Sequence, residues 1–236
     1  MSSNGHKLVL FDIDGTLLSA GAVARESVLA AMTRAYGWQP QPEHQDRRQH
    51  DFSGKTDPQI VRELVSASIG RERCEAGLAQ ALELYLEELE RRLTPQAVVV
   101  KPGTAALLQG LAARPHVTLA LLTGNLEKGA RMKLAPPGFN RFFPFGAFGS
   151  DSADRYELPA IALERARDHT GRRYEGKSVV IVGDSIHDVA CGRHLGVRSV
   201  AVATGPTTAE RLAREQPDAL LESFADADRA LAAILE

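Results

Sequence analysis

The chain has 236 residues, 44% of them hydrophobic and 25% charged. That composition suits one large domain, or a main domain with a modest insertion, and excludes a disordered chain. Its 28 basic and 30 acidic residues are interspersed and leave a formal charge of −2, so no basic field selects nucleic acid or an anionic membrane. No run approaches the ~20 apolar residues of a membrane span, and the apolar stretch near the N-terminus is too short for a signal peptide. Cys74 and Cys191 lack any paired metal-ligand spacing and read as reduced packing residues. A cytoplasmic protein is expected.

In chain order, the first element is the apolar run Leu8 to Phe11, which leads directly into Asp12, Ile13, Asp14, Gly15 and Thr16. The stretch 20–96 contains no comparable apolar run and reads as an inserted helical domain. Ala22 to Tyr36 predicts a helix stopped by Gly37. A polar loop from Gln39 to Thr56 follows, carrying Arg47, Arg48, His50 and Lys55. Asp57 and Pro58 read as an N-cap and a first-turn proline opening a helix to about Ser68. Leu78, Leu82, Leu86, Leu89 and Leu93 form an apolar stripe at spacings of three and four, which predicts a core-facing helix.

Beyond the insertion, helical patterns cover roughly 104–113, 127–134, 158–170, 186–195 and 208–216, with Gly171 and Gly196 placed as C-terminal caps. Between them lie two further apolar runs: Thr118 to Thr123, ending in Gly124 and Asn125, and Ser178 to Gly183, ending in Asp184. Apolar runs without polar alternation predict strands buried on both faces of a parallel sheet. The fold expected is a doubly wound, Rossmann-like α/β sheet formed by residues 1–19 and 97–236, with an α-helical domain inserted at 20–96. Ligands of such sheets bind outside the carboxyl ends of the strands, where all three polar termini gather.

Two carboxylates two residues apart on an extended segment project together. At ~4 Å they repel by roughly 1 kcal/mol in water and about 4 kcal/mol at an effective dielectric of about 20. A bound cation or a shared proton would relieve Asp12 and Asp14, although Asp and Gly are also ordinary turn residues. Asp184 and Asp188 are spaced by one helical turn, as members of an oxygen cage or as a helix cap and a solvated neighbour. Thr123 is placed to cap a helix, to receive an anion with the amides after it, or both.

Three motifs in order, Asp12-Ile-Asp14-Gly-Thr16, Leu-Leu-Thr123-Gly-Asn and Gly-Asp184-Ser-Ile-His-Asp188, resemble those of haloacid dehalogenase superfamily hydrolases with a helical cap, of the phosphoglycolate phosphatase-like kind. The resemblance spans essentially the whole chain. It implies a Mg²⁺-dependent phosphatase acting on a small phosphorylated metabolite, with Asp12 as nucleophile and Asp14 as general acid and base. It further implies a metal site formed by Asp12, the Asp14 backbone carbonyl, Asp184 and Asp188, with Thr123, Gly124 and Asn125 at the phosphoryl group. The chemistry needs two carboxylates, because the nucleophile must stay ionised while the leaving oxygen takes a proton. A leaving halide needs none, which argues against dehalogenation.

The third motif departs from the pattern: a lysine is expected before the helix at 158, and Arg155 stands there, with Lys128 and Lys133 as substitutes. Lys55 is the insertion's leading candidate for substrate contact, ahead of Arg47, Arg48 and His50. His187 is not a Mg²⁺ ligand, since that ion does not favour imidazole. A sugar-phosphate mutase, a phosphonate hydrolase and a non-catalytic module phosphorylated on Asp12 are the alternatives. No nucleic-acid or membrane partner is expected, and the chain is read as a monomer or homodimer.

Overall fold

The computed structural model describes residues 5–45 and 51–236. Among them, six parallel strands form the main sheet: β1 (Lys7–Phe11), β4 (Val117–Thr123), β5 (Gly146–Phe148), β6 (Val179–Gly183), β7 (Arg198–Val202) and β8 (Ala219–Leu221). A two-residue antiparallel ribbon, β2 (Leu18–Ser19) with β3 (Val99–Val100), stands apart from it. The main sheet runs in the order β5-β4-β1-β6-β7-β8. The chain thus builds outward to one side of β1 and then to the other, which leaves a crevice at the carboxyl ends of β1, β4 and β6. The doubly wound expectation holds.

Alternation along the strands explains the layering. Val9 and Phe11 of β1, with Leu119, Leu121, Val180 and Val182, enter one core with Leu107 and Leu111 of α5 (Thr104–Ala112) and Leu134 of α6 (Glu127–Leu134). Ile234 of α10 (Ala227–Leu235) packs into the same layer. Leu8, Leu10, Ala120, Leu122 and Ile181 face the opposite way, against α7 (Leu158–Thr170) and Cys191 of α8 (Ile186–Leu195). The short α9 (Ala209–Arg214) closes the edge through Leu212. A strand buried on both faces has few polar positions to spare, so the carboxylates stand beyond the ends of β1 and β6.

The segment between β2 and β3 is helical: α1 (Gly21–Tyr36), α2 (Pro42–Gln45), α3 (Asp57–Ile69) and α4 (Arg71–Arg92). It has its own hydrophobic cluster, including Val28, Met32, Val61, Leu64, Tyr85 and Leu89, and reaches the sheet side through Leu126. The predicted leucine stripe is only half right. Leu89 is fully buried, but Cys74, Ala81 and Tyr85 share that depth, while Leu78, Leu82, Leu86 and Leu93 flank them. α4 packs against both α1 and α3, which widens its buried face beyond one row. The cap of α3 is also corrected: Thr56 is extended and its hydroxyl accepts from Gln59 N at 3.3 Å. Asp57 is the first helical residue, because its carboxylate is engaged elsewhere, by Leu126 N at 2.7 Å. No helix among the described residues is long and apolar enough to cross a membrane.

Candidate active site

Asp12 follows the last residue of β1, and its amide donates to Val182 O of β6 at 3.0 Å, so the neighbouring strand fixes where the carboxylate leaves the sheet. Asp184 follows β6, and Asp188 lies in the first turn of α8. Asp12, Asp184 and Asp188 are all buried, and one oxygen from each lies within 4.8 Å of the others. Asp188 is held by a reciprocal cap: Ser185 donates both its amide, at 3.0 Å, and its hydroxyl, at 2.7 Å, to Asp188 Oδ2. Thr16 donates its hydroxyl to Asp184 Oδ1 at 2.9 Å, while Asp184 Oδ2 is buried with no hydrogen-bond partner. A Cβ on Gly205 would lie 1.6 Å from that oxygen, so only glycine leaves it room.

Among the described residues, Arg155 supplies the one cation within this cluster. Its guanidinium is buried, donates to Asp12 Oδ1 at 3.2 Å and also donates to Asp188 Oδ1. Three carboxylates against one guanidinium leave two negative charges in a dry site, which two-fold positive charge would balance. The electrostatics record that deficit. Burial pushes the Asp12 carboxyl up to about 7, against the opposing pull of Arg155, with Asp188 and Asp14 adding repulsion. Burial, followed by repulsion from Asp12 and Asp188, also drives Asp184 well above the usual carboxylate range. Hard oxygen donors, an unpartnered buried carboxylate oxygen and this charge deficit fit a divalent cation such as Mg²⁺.

Asp14 is not in the cluster. Its half-buried carboxylate turns toward a cavity of about 400 Å³, and Oδ2 accepts from Asn125 Nδ2 at 2.8 Å and from Lys133 Nζ at 2.6 Å. Asn125 also donates to Thr123 Oγ1 at 2.8 Å and accepts from Lys133 at 2.5 Å. The cavity is lined by Asp12, Asp14, Thr123, Gly124, Asn125 and Arg155 from the sheet side, and by Arg25, Val28, Phe52, Lys55, Ile60 and Tyr85 from the helical side. The helical segment rests on the sheet through backbone: Asp57 N donates to Gly124 O at 2.8 Å, and a Cβ on Gly124 would lie 2.0 Å from Lys55 O.

Of the sequence-derived candidates, the structure thus gathers Asp12, Asp14, Thr123, Gly124, Asn125, Arg155, Asp184 and Asp188 around one crevice. Lys55 lines the cavity, but its ammonium pairs with Glu63 at 2.5 Å. Lys128 is exposed and pairs with Glu90, away from the carboxylates. Lys133 is buried, yet it meets Asp14 rather than Asp12. His187 faces Tyr156, with its Nδ1 3.1 Å from the phenol oxygen, and burial lowers its pKa. Arg47, Arg48 and His50 lie outside the described residues. Asp57 is the buried group the sequence reading left as a cap: it lines the cavity, and burial raises its carboxyl to about 6, partly offset by Lys133. Arg25, stacked 3.8 Å over the Phe52 ring, carries no sequence signal apart from its place in the insertion.

Comparison with known proteins finds a family model, sequence relatives and structural neighbours. The haloacid dehalogenase-like hydrolase model matches residues 6–196. Phosphoglycolate phosphatase 1 of Pseudomonas aeruginosa is 28% identical over 93% of this chain and 78% of its own length. The phosphoglycolate phosphatase of Vibrio vulnificus is also 28% identical, over 95% of this chain and 96% of its own. Among solved structures, a predicted phosphatase from Clostridium acetobutylicum superposes with a TM-score of 0.74 at 17% identity, covering 96% of this chain and 99% of that one.

Proposed function

This chain belongs to the haloacid dehalogenase-like hydrolases, and from that premise we propose that it is a Mg²⁺-dependent phosphatase that cleaves a small phosphomonoester through an aspartyl-phosphate. The observation that carries the reading is the separation of two neighbouring carboxylates: Asp12 lies inside the buried acidic cluster, and Asp14 lies outside it on the cavity. Family resemblance to phosphoglycolate phosphatases supports a small, phosphoglycolate-like or sugar-phosphate substrate.

In this reading an Asp12 oxygen attacks phosphorus as the bond to the leaving oxygen breaks, and Asp14 gives that oxygen its proton. Water then attacks the aspartyl-phosphate and delivers a proton to Asp14, and the phosphorus–oxygen bond to Asp12 breaks to release inorganic phosphate and the free carboxylate. Thr123 and the Gly124 amide are the proposed donors to phosphoryl oxygens. Arg155 orients Asp12 and opposes the accumulating negative charge. Asp12, Asp184, Asp188 and the Asp14 backbone carbonyl would hold Mg²⁺, which supplies positive charge to the phosphoryl group when bound. The helical segment 20–96 is proposed as the cap that excludes water from the cavity. A reducing, cytoplasmic setting suits the two buried free thiols.

The test is phosphate release from an aryl phosphate and from a panel of phosphorylated metabolites, with and without Mg²⁺. Activity that survives Asp12→Asn or full chelation rejects the reading. Isomerised phosphosugar in place of inorganic phosphate makes the protein a mutase, and a stable phosphoprotein without turnover makes it a phospho-accepting module.

A further inference from the structure

We infer that Lys133 is a positioning residue for Asp14, a duty separate from the positive charge that Arg155 brings to Asp12. This inference rests on the phosphatase reading for its kinetic test, but its geometry stands alone. α6 begins four residues after Thr123 and carries Lys133 near its end, where the side chain is 3% exposed. An ammonium group buried to that degree needs full compensation, and here its partners are the Asp14 carboxylate and the Asn125 amide oxygen. Asn125 closes a ring: it accepts from Lys133, donates to the same Asp14 oxygen and donates to Thr123. The two donors to Asp14 therefore hold each other in place, and Thr123 anchors Asn125.

The consequence falls on one atom. Asp14 Oδ2 accepts from two donors, so Oδ1 is the oxygen left to carry a proton to the leaving group and back from water. A half-buried aspartate without such a clamp would rotate among rotamers, whereas a proton donor must lie within hydrogen-bond reach of a single atom. Arg155 does not do this work, since its guanidinium contacts Asp12 and Asp188. The two cations divide the carboxylates between them, one guanidinium for the acidic cluster and one ammonium for the proton carrier.

Lys133→Met tests the assignment through leaving groups. An alkyl phosphate needs its departing oxygen protonated, and 4-nitrophenyl phosphate needs it far less. Misplacing the proton carrier is expected to lower kcat/KM for the alkyl ester by about 100-fold, with a loss at least about tenfold smaller for the aryl ester. Slow hydrolysis of the aspartyl-phosphate should also give a nitrophenol burst near one equivalent per enzyme. Equal losses on both esters without a burst would overturn the inference, as would a loss confined to KM together with weakened inhibition by inorganic phosphate, which would make Lys133 a phosphate ligand. A crystal structure of Lys133→Gln reads the geometry without turnover: Asp14 should leave its present rotamer, and an unmoved carboxylate rejects the role. Inactivity of the unaltered protein on both esters would instead reject the phosphatase reading, with the crystal structure still deciding on Lys133.

Discussion

The Thr16 hydroxyl donates to Asp184 Oδ1 at 2.9 Å, joining the turn after β1 to the end of β6, and the second Asp184 oxygen lies buried without a partner. The two Asp184 oxygens therefore meet different surroundings: one holds the turn together, and the other lies without a partner against Gly15 and Gly205, in a carboxylate grouped with those of Asp12 and Asp188. Asp184→Asn would keep the first contact and discharge the second. Without Mg²⁺ the variant should melt higher, by roughly 2–4 °C for each kcal/mol of relieved repulsion. It should lose the Mg²⁺-induced rise in melting temperature, and activity should fall by about 100-fold or more. Thermal melts with and without Mg²⁺ check this, and an undiminished Mg²⁺ response would remove Asp184 from the metal site.

Arg155→Met should be the most damaging single change to the cluster, because it leaves Asp12 and Asp188 buried without their cation. Breaking a buried pair costs about 3–5 kcal/mol. Arg155→Lys keeps the charge, but both contacts come from the single terminal nitrogen Nη2, a position that the shorter lysine side chain does not match, so its stability should lie between the two. Denaturant unfolding in Mg²⁺-free buffer ranks the three proteins, and a methionine variant as stable as the original would show that Arg155 is not the counter-charge.

Gly124→Ala should lift the 52–57 loop, since the new methyl would meet the Lys55 carbonyl at 2.0 Å and a backbone atom cannot swing aside. Overpacking of this kind costs about 1–3 kcal/mol. The sheet should remain intact by circular dichroism while kcat/KM falls by about 100-fold, because the cavity no longer closes on its helical side. Full activity in this variant would mean that the loop is not needed against Gly124 during turnover.

The Asp57 carboxyl is raised by burial to about 6, so its folded form holds a proton more tightly than the unfolded chain does. The stability it confers is fully present below the unfolded carboxylate range near pH 3.8 and is lost as pH rises through about 6. Above that, burying the charge costs up to roughly 3 kcal/mol. Asp57→Asn keeps an oxygen for the Leu126 amide and removes the charge. The variant should gain melting temperature at pH 8 relative to the original and gain little at pH 4. A gain independent of pH would contradict the titration.

Much of the site was legible because its groups stand at the ends of unbroken apolar runs. β1, β4 and β6 are buried on both faces, so Asp12, Thr123 and Asp184 stood out as the first polar atoms after apolar runs. β5, with three residues, and β8, also with three, are too short to show a pattern, while β7 opens with Arg198 and Ser199 and so lacks an unbroken apolar run. Lys133 and Arg155 were named as alternatives for one duty, because a sequence shows that a cation is available but not which carboxylate it reaches. Lys55 lines the cavity, as its loop position suggests, while the pairing of its ammonium with Glu63, eight residues on, has no signal in the sequence. Asp57 was hidden by its own plausibility as a helix cap.

The contact between Gly124 and Lys55 joins main chain to main chain, with Asp57 N donating to Gly124 O beside it. A seat made of amides and carbonyls does not itself depend on the side chains at 52, 53 and 55, whereas Gly54 is fixed, since a Cβ there would lie 2.6 Å from the Ser185 hydroxyl. Phe52, Ser53 and Lys55 border the cavity and can therefore be exchanged while the loop returns to the same resting place. If the proposed phosphatase function holds, substitutions at these three positions would alter the cavity wall while leaving Asp12 and Asp14 untouched.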